Sequence, residues 1–443
     1  MEKKRLYIRT FGCQMNVHDS EQLAALLAYE GYERADRPEE ADLIVVNTCS
    51  IREKAAQKVY SELGRLRSLK SLKPGLRIAV GGCVAQQRGR ALLVAAPHVD
   101  LVFGTHQLAS VPRLLNLCGH GGAGVVETAF CDRVESLAIF APPPHGTVSA
   151  YVTIMQGCHN FCAYCVVPYL RGREQSRSGR EIIAEIRSLA DLGIREVTLL
   201  GQNVNSYGVG TPEGMDFPDL IREIGAVSGI ERIRFTTSHP KDLSADLMQC
   251  FREVESLCGH IHLPVQAGSN RVLARMNRGY TREGYLDKVQ RLRDACPNIS
   301  ITSDIIVGFP GETEADFRET LDLMGKIRFD NLFSFKYSRR EGTAAMKMTE
   351  PVAEEVKSER LKILQALQDE HTQERNRLSI GRVEEILVEG VSRASSRHLT
   401  GRTRGNKIVN FAGEERLIGR TVRCRITEAF LHSLRGELQL PEA

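Results

Sequence analysis

Short apolar strands alternate with helical segments along most of this chain, and that alternation limits the folds open to it. Within the first hundred or so residues, strands are predicted at Arg5 to Phe11, Asp42 to Val46, Leu76 to Val80 and Val99 to Phe103. The second of these is almost wholly apolar, which is typical of a strand buried on both faces of a parallel sheet. The pattern therefore predicts an N-terminal open parallel α/β sheet domain. The helix after the first strand is expected to begin at Asp19, with Gln22 placed for a capping box, and to end at Gly31.

The alternation stops in a Gly-rich and Pro-rich stretch at 119–146 and then resumes. Six further strands separated by helices predict a parallel, partial (βα)6 barrel. They are expected at Val148 to Met155, Glu196 to Leu200, Arg232 to Thr237, His260 to Val265, Ile299 to Val307 and Leu332 to Tyr337.

Beyond about Arg375 the pattern changes to short strands separated by Gly and polar turns, which predicts a small all-β module. The segment from Asn376 to Arg425 holds eleven Lys or Arg and five Glu, so it concentrates positive charge in a chain whose net charge is only +4. Such a module suits binding to an RNA backbone. Within it, Phe411 could stack on a base, although core packing is the simpler interpretation.

The length of 443 residues fits several domains, and we expect them at 3–119, 144–374 and 376–440, with a linker at 120–143. There is no apolar signal segment and no apolar run long enough to cross a bilayer, so we expect a cytoplasmic protein that makes no membrane contact. Twelve cysteines are too sparse for a disulfide scaffold. Metal binding is therefore the preferred interpretation wherever they cluster.

Cys158, Cys162 and Cys165 form a CxxxCxxC triplet just after the first predicted strand of the barrel. Three soft thiolates on one short loop suit a 4Fe-4S cluster, and three ligands for four irons leave one iron open. The alternatives are a zinc knuckle and a ferredoxin-type electron carrier. A structural zinc site needs four ligands, and a ferredoxin run uses CxxCxxC spacing with a fourth Cys, so both fit less well.

Cys13, Cys49 and Cys83 each follow directly on one of the first three strands, at intervals of 36 and 34 residues. Parallel strands end at one edge of their sheet, where ligands usually bind, so these thiols are expected to converge on a second cluster site. A lone cysteine is more often a buried structural residue. The shared position of these three favours the cluster, whereas the other six cysteines share no spacing.

With these motifs the chain resembles the radical S-adenosylmethionine (SAM) superfamily and, over essentially its whole length, the methylthiotransferases within it. That resemblance implies an N-terminal auxiliary-cluster domain, a radical SAM core and a C-terminal TRAM barrel. Ala163 and Ala267 depart from the family's usual residues without touching a ligand. The matching segments are Thr10–Asn16, Asn47–Lys54, Arg171–Arg177, Val265–Arg271 and Met276–Thr281.

The resemblance implies a transferase that methylthiolates N6-isopentenyladenosine at C2 of the base, at position 37 of tRNA. By the same resemblance, the cluster on Cys158, Cys162 and Cys165 cleaves one SAM to a 5′-deoxyadenosyl radical. The cluster on Cys13, Cys49 and Cys83 carries the transferred sulfur, and a second SAM donates the methyl group. The implied partners are the tRNA anticodon stem-loop, a reductase or flavodoxin-type electron donor and the iron-sulfur assembly machinery.

Further candidates lie near the ends of the barrel strands, where such barrels present ligand-binding groups. The candidate SAM contacts are Gln202, Asn203, Ser238, Gln266 and Asp304. His239 is either a further contact or a structural residue, and Tyr164 could pack on adenine or shield the cluster. The candidate RNA contacts, which suit phosphate binding beside an active site, are Arg171, Arg173 and Arg177.

Three other functions stay open from the sequence. The first is a sister methylthiotransferase acting on threonylcarbamoyladenosine in tRNA, and the second modifies an aspartate of a ribosomal protein. The third is a non-catalytic iron-sulfur protein that binds RNA and uses its clusters as structure. Two three-thiolate sites argue against the third, because each would leave an iron open for chemistry.

Overall fold

The computed structural model describes residues 3–50, 53–119, 124–144, 146–208, 211, 214–393 and 395–439. Part of the predicted linker, residues 120–123, lies outside these ranges. The chain forms two compact units. The first comprises Met1–Pro143, Thr153–His159 and Val166–Arg177, and the second comprises Pro144–Val152, Asn160–Cys165 and Ser178–Ala443.

A six-stranded parallel sheet with order β2-β1-β3-β4-β5-β6 forms the centre of the first unit. Its strands are β1 Lys4–Thr10, β2 Tyr32–Arg34, β3 Leu43–Thr48, β4 Arg77–Gly82, β5 Leu101–Phe103 and β6 Val125–Glu127. The helices along it are α1 Gln14–Tyr29, α2 Glu53–Leu72, α3 Cys83–Arg88, α4 Arg90–Ala95 and α5 Val111–Leu117.

Strand β3 shows why this sheet is buried on both faces. Ile44 and Val46 pack into a cluster with residues of α2, while Leu43 and Val45 pack into a second cluster with residues of α1 and α5. All four side chains are fully buried. The predicted open α/β domain is confirmed.

The predicted start of the first helix at Asp19 is wrong, because α1 begins at Gln14 with Cys13 as its N-cap. Gly12 allows the early start, since its φ of +139° turns the chain directly from strand to helix. The helix ends at Tyr29, before Gly31 at φ +81°, as predicted.

The middle of the chain supplies the predicted barrel strands and a small antiparallel pair. The strands are β7 Ser149–Thr153, β8 Met155–Gln156, β9 Gln175–Ser176, β10 Glu196–Leu200, β11 Arg232–Phe235, β12 His260–His262, β13 Ser300–Val307 and β14 Asn331–Lys336. The helices are α6 Val167–Arg171, α7 Gly179–Asp191, α8 Phe217–Gly225, α9 Ala245–Glu253, α10 Asn270–Arg275, α11 Arg282–Ala295, α12 Glu314–Ile327 and α13 Glu354–Arg377.

The barrel strands form two three-stranded sheets, with orders β11-β10-β7 and β12-β13-β14. A parallel bridge between Ile233 and Leu257 joins the two sheets, so the six predicted strands make an incomplete barrel. The segments β8 and β9 pair antiparallel in the first unit, an element that the sequence pattern did not predict.

The C-terminal module is a closed five-stranded barrel with order β15-β16-β17-β19-β18. The antiparallel pair of β15 and β18 closes it. Phe411 is fully buried in its core, which excludes base stacking by this ring. The strands are β15 Val383–Val391, β16 His398–Arg402, β17 Ile408–Ala412, β18 Thr421–Ala429 and β19 Leu434–Leu438. Across the described ranges, no helix is both long and apolar enough to span a membrane.

Candidate iron-sulfur sites

The structure places the three N-terminal cysteines at one edge of the first unit's sheet. Cys13 caps α1, Cys49 follows β3 directly and Cys83 is the first residue of α3. The strands that precede them, β1, β3 and β4, are neighbours in the sheet. A Cβ atom built on Gly12 would come within 2.7 Å of Cys49 Cβ, so only glycine allows these loops to approach so closely. All three cysteines therefore lie at the ends of neighbouring strands, at one edge of the sheet.

A buried polar network holds the loops that carry these thiols. Asn16 Nδ2 donates to Asn47 Oδ1 at 3.0 Å and to the Thr48 carbonyl at 3.1 Å, while Asn47 Nδ2 donates back to the Asn16 carbonyl at 2.9 Å. Thr48 Oγ1 accepts a hydrogen bond from the Val84 amide at 3.2 Å, next to Cys83. Sequence reasoning assigned no role to Asn16 or Asn47, although each lies within three residues of a cysteine.

The N-terminal donor set consists of three thiols. Among the residues that the structure describes, no three His, Cys, Asp or Glu side chains come close enough together to hold one metal ion. The ligand sulfurs of a 4Fe-4S cluster are farther apart than the ligands of one ion, because the cubane lies between them. Soft thiolates at adjacent strand ends suit that larger group.

Arg171 is buried beside these cysteines, although the sequence predicted that it would contact RNA. It is 3% exposed, and its Nη2 donates to Asp19 Oδ2 at 2.7 Å. Burial raises the pKa of the Cys83 thiol, and the positive charge of Arg171 opposes that rise. Nη1 of Arg171 makes no hydrogen bond to any described residue. This guanidinium therefore faces the thiol site and not a surface phosphate.

The other two arginines of that prediction differ from each other in exposure. Arg177 is 6% exposed, and its Nη1 donates to the Thr153 carbonyl at 2.9 Å within the first unit. Arg173 is exposed. A phosphate contact from this segment consequently remains a prediction for Arg173, the member that presents its charge to solvent.

The CxxxCxxC loop is divided between the two units. Cys158, in the first unit, is 9% exposed, and its amide donates to the Gly172 carbonyl at 3.3 Å. Cys162 and Cys165 belong to the second unit, where a hydrogen bond from the Cys165 amide to the Cys162 carbonyl at 2.9 Å forms a turn. Cys162 is buried and Cys165 is half-buried, and soft thiols on a short loop suit an iron-sulfur cluster.

Arg278 brings a buried positive charge to this loop in the second unit. Its Nη1 lies 3.2 Å from Cys162 Sγ and 3.3 Å from the Tyr164 hydroxyl. Its Nη2 donates to the Pro264 carbonyl at 2.7 Å, and the side chain is 4% exposed. Because a cation beside a sulfur ligand favours the thiolate, Arg278 suits a cluster site. Sequence reasoning did not predict this role for Arg278, which lies within the Met276–Thr281 motif.

His239 also contacts Cys162, with Nε2 at 3.9 Å from Sγ. Burial, assisted by the charge of Arg278, lowers the pKa of His239 to about 2. The imidazole is therefore neutral at physiological pH. The backbone amide of His239 donates a hydrogen bond to Asn203 Oδ1 at 3.1 Å.

The five candidate SAM contacts occupy different environments in the second unit. Ser238 Oγ is buried and makes no hydrogen bond to a described residue, and Gln266 holds a left-handed φ of +73°. Both features are typical of ligand-binding positions. Asn203 Nδ2 instead donates to Asp242 at 2.7 Å, and Asp304 lies 3.6 Å from His262 Nε2. Gln202 is half-buried at the end of β10.

Three family models match successive parts of the chain. The model described as Uncharacterized protein family UPF0004 matches residues 5–104, that of the Radical SAM superfamily matches 152–324, and that of the TRAM domain matches 377–439. Fold and motifs thus place the chain among radical SAM proteins that carry a C-terminal TRAM domain.

Curated relatives match over nearly the full length. A tRNA-2-methylthio-N(6)-dimethylallyladenosine synthase from Syntrophus aciditrophicus is 58% identical, covering 100% of this chain and 96% of the relative. Its counterpart from Geobacter sulfurreducens is 53% identical, covering 99% and 98%. The chain therefore belongs to the tRNA-2-methylthio-N(6)-dimethylallyladenosine synthase family.

Solved structures confirm the fold at low sequence identity. The radical SAM methyltransferase TsrM from Kitasatospora setae matches with a TM-score of 0.57 and 15% identity, covering 78% of this chain and 77% of that one. The cobalamin-dependent SAM radical enzyme OxsB matches with a TM-score of 0.54 and 13% identity, covering 83% and 56%. At these identities the likeness concerns the fold alone.

Proposed function

We propose that the protein methylthiolates N6-isopentenyladenosine 37 of tRNA at C2 of adenine. Family membership over the whole chain is the observation that carries this proposal, because the relatives bear the name of that activity. The two sets of three cysteines provide the sites that such chemistry needs.

Cys158, Cys162 and Cys165 are the proposed ligands of a 4Fe-4S cluster that, with SAM bound, supplies a 5′-deoxyadenosyl radical. A carbon radical is required because the C2 hydrogen of adenine is not acidic. The chain's own contribution is a buried, cationic environment. Arg278 Nη1 lies 3.2 Å from Cys162 Sγ, and Tyr280 Oη accepts a hydrogen bond from Arg278 Nε at 2.9 Å, which holds the guanidinium in place.

Cys13, Cys49 and Cys83 are the proposed ligands of the auxiliary 4Fe-4S cluster, the source of the transferred sulfur. A second SAM supplies the methyl group. The polar network around Asn16 and Asn47 fixes the loops that carry these thiols, which preorganises them for ligation.

SAM is proposed to bind at the ends of the barrel strands in the second unit. Ser238 and Gln266 have the strongest support, from an unpaired buried hydroxyl and a strained backbone. The other proposed SAM contacts are Gln202, Asn203 and Asp304. The side chain of Asn203 already hydrogen-bonds to Asp242 and to the His239 amide, so it has less support as a ligand contact.

The partner is tRNA, and the anticodon stem-loop is the part proposed to be bound. Exposed arginines lie on the C-terminal barrel at Arg423, Arg425 and Arg435, where they suit phosphate contacts. A flavodoxin-type or reductase electron donor, the iron-sulfur assembly machinery and a cytoplasmic location complete the proposal.

The rival functions have less support. The relatives described above bear the name of the dimethylallyladenosine activity, which disfavours threonylcarbamoyladenosine and the ribosomal aspartate as substrates. A purely structural role for the clusters is disfavoured by the same family membership.

Expression in a bacterial strain that lacks its own methylthiotransferases tests the proposal. Mass spectrometry of tRNA nucleosides should show the methylthio-isopentenyl nucleoside. The Cys296→Ala variant, whose thiol belongs to neither set, serves as the matched control and should give the same product. Methylthiolation of threonylcarbamoyladenosine instead would establish the sister activity and refute the proposed substrate.

A further inference from the structure

The buried pair of Arg171 and Asp19 is the strongest feature of the first unit that the proposed function leaves without a role. Its Nη2···Oδ2 distance is 2.7 Å, and the two side chains are 4% and 15% exposed. The two residues are 152 positions apart. Removing two charges from water is costly, so such a pair is weak evidence for stability alone.

Several contacts fix the segment that carries Arg171 beside the N-terminal thiols. Leu170 and Val166 pack against Cys83 in one buried cluster. Thr105 Oγ1 donates to the Leu170 carbonyl at 2.5 Å, and a ring nitrogen of His106 lies 2.9 Å from the Arg171 carbonyl. Helix α6, which carries Arg171, is therefore held against Cys83 and against the loop of Thr105 and His106.

One donor of this guanidinium has no acceptor among the described residues. Asp19 accepts a hydrogen bond from Nη2 of Arg171, whereas Nη1 is buried and has no partner among the described residues. The positive charge of Arg171 interacts with both Cys83 and Cys13. The hydroxyl of Ser50, next to Cys49, is also buried and unpaired. Because buried polar groups are nearly always hydrogen-bonded, two unpaired groups beside three thiols indicate an acceptor that binds there.

We propose that Arg171 is a positioning residue of the auxiliary site, where Nη1 donates an N–H···S hydrogen bond to a sulfur of the group held by Cys13, Cys49 and Cys83. Asp19 orients the guanidinium through its hydrogen bond and partly neutralises its positive charge. This inference rests on the proposed function only in assigning a cluster to those cysteines. A cation next to an iron-sulfur cluster stabilises the reduced, more negative state, so Arg171 raises the reduction potential and Asp19 lowers it.

Redox titration followed by electron paramagnetic resonance tests this inference without turnover. The parent for the test is the full chain carrying Cys158→Ala, Cys162→Ala and Cys165→Ala, which keeps the N-terminal set alone. In this parent, Arg171→Gln should shift the potential to more negative values, whereas Asp19→Asn should shift it to more positive values. Arg90→Gln, an exposed change on α4, should leave it unchanged.

Opposite shifts distinguish an electrostatic role from a structural one, because loss of packing would change both variants in the same direction. If Arg171→Gln loses its iron, the Arg171→Lys and Asp19→Asn variants test the inference in its place. Arg171→Lys should retain the reduction potential of the parent, and Asp19→Asn should raise that potential. Unchanged potentials, or shifts of one sign, overturn the inference. A parent that binds no iron would instead refute the N-terminal cluster, and with it this role for Arg171.

Discussion

Each N-terminal thiol lies at the turn from a strand into the segment after it, and the backbone there leaves little room for change. Gly12 combines a φ of +139° with the close approach to Cys49. Gly12→Ala should therefore displace the Cys49 loop and lose most of the iron bound at that site. Iron analysis after anaerobic purification measures this.

Gly31→Ala is the matched control for that change. Gly31 also has a positive φ, of +81°, yet a Cβ atom there meets nothing within 4 Å. The control variant carries the backbone strain without the steric clash, so it should retain its iron. Equal losses in both variants would show that strain and not the approach to Cys49 is responsible.

Removing the ligands themselves is the second test at this scale. The Cys13→Ala, Cys49→Ala, Cys83→Ala variant should retain about half of the wild-type iron, because one of two clusters is lost. Full iron retention would contradict the N-terminal assignment. Cys424→Ala, a change in the C-terminal barrel core, should leave the iron content unchanged.

The cysteines and the arginines of the site differ in how far the sequence predicts them. The shared position of Cys13, Cys49 and Cys83 after strands is a local pattern, and it predicted that all three lie at one edge of the sheet. The environment of Arg171 depends on Asp19, which is remote in sequence, and no local pattern shows that pairing. A charged run next to a motif therefore suggested phosphate binding, whereas the fold buries Arg171.

Among the elements, strand β11 connects the radical core to the C-terminal barrel through two buried arginines. Arg232 donates to the carbonyls of Arg402 and Glu385 at 2.6 and 2.9 Å. Arg234 donates to the Thr403 carbonyl at 2.8 Å, and it pairs with the buried carboxylate of Glu196 at 2.8 Å. Through these bonds the core holds the small barrel in a fixed position.

The double variant Arg232→Ala, Arg234→Ala should lower the free energy of unfolding by about 3 to 5 kcal/mol, because it leaves a buried carboxylate and several carbonyls without hydrogen-bond partners. Circular dichroism during urea unfolding measures the loss. The control, Arg222→Ala, removes a partly exposed ion pair with Asp246 and should cost less than about 1 kcal/mol. Similar losses in both proteins would contradict the connecting role.

The carboxylate of Asp316, in the first turn of α12, makes the stability of the protein depend on pH. Asp316 accepts from Ser269 Oγ at 2.6 Å and from the Thr313 amide at 2.8 Å, and it pairs with Arg271. Burial alone would raise the pKa of Asp316, but these hydrogen bonds outweigh it and hold the pKa below the usual 3.8. The stabilisation is thus complete above pH 3.8 and is lost as the pH falls towards the lower folded-state value.

Asp316→Asn should therefore lower the free energy of unfolding by about 2 kcal/mol at pH 7. The deficit should shrink below pH 3.8, where the wild-type carboxylate begins to be protonated in the unfolded state. Urea unfolding at pH 7 and at pH 3 measures both values. A deficit that is the same at both pH values would show that the charge of Asp316 is not responsible.

For the molecule as a whole, the alternation of strands and helices predicted the fold class of each domain. It did not predict how the strands pair to form complete sheets and barrels. The six barrel strands occur where apolar runs predict them, yet they form two sheets, which an isolated bridge between β11 and the segment before β12 joins. The closed C-terminal barrel likewise depends on pairing between strands that are not consecutive in the chain, β15 with β18 and β17 with β19. Local patterns specify elements, whereas long-range pairing decides how the elements join.

The central claim is a division of labour between two cysteine sets, and anaerobic turnover with isopentenylated tRNA, SAM and a chemical reductant tests it most directly. The wild-type protein should form both 5′-deoxyadenosine and the methylthio-isopentenyl nucleoside. The Cys13→Ala, Cys49→Ala, Cys83→Ala variant should still form 5′-deoxyadenosine but no methylthio product, because radical formation depends on the other set. A methylthio product from that variant would contradict the account.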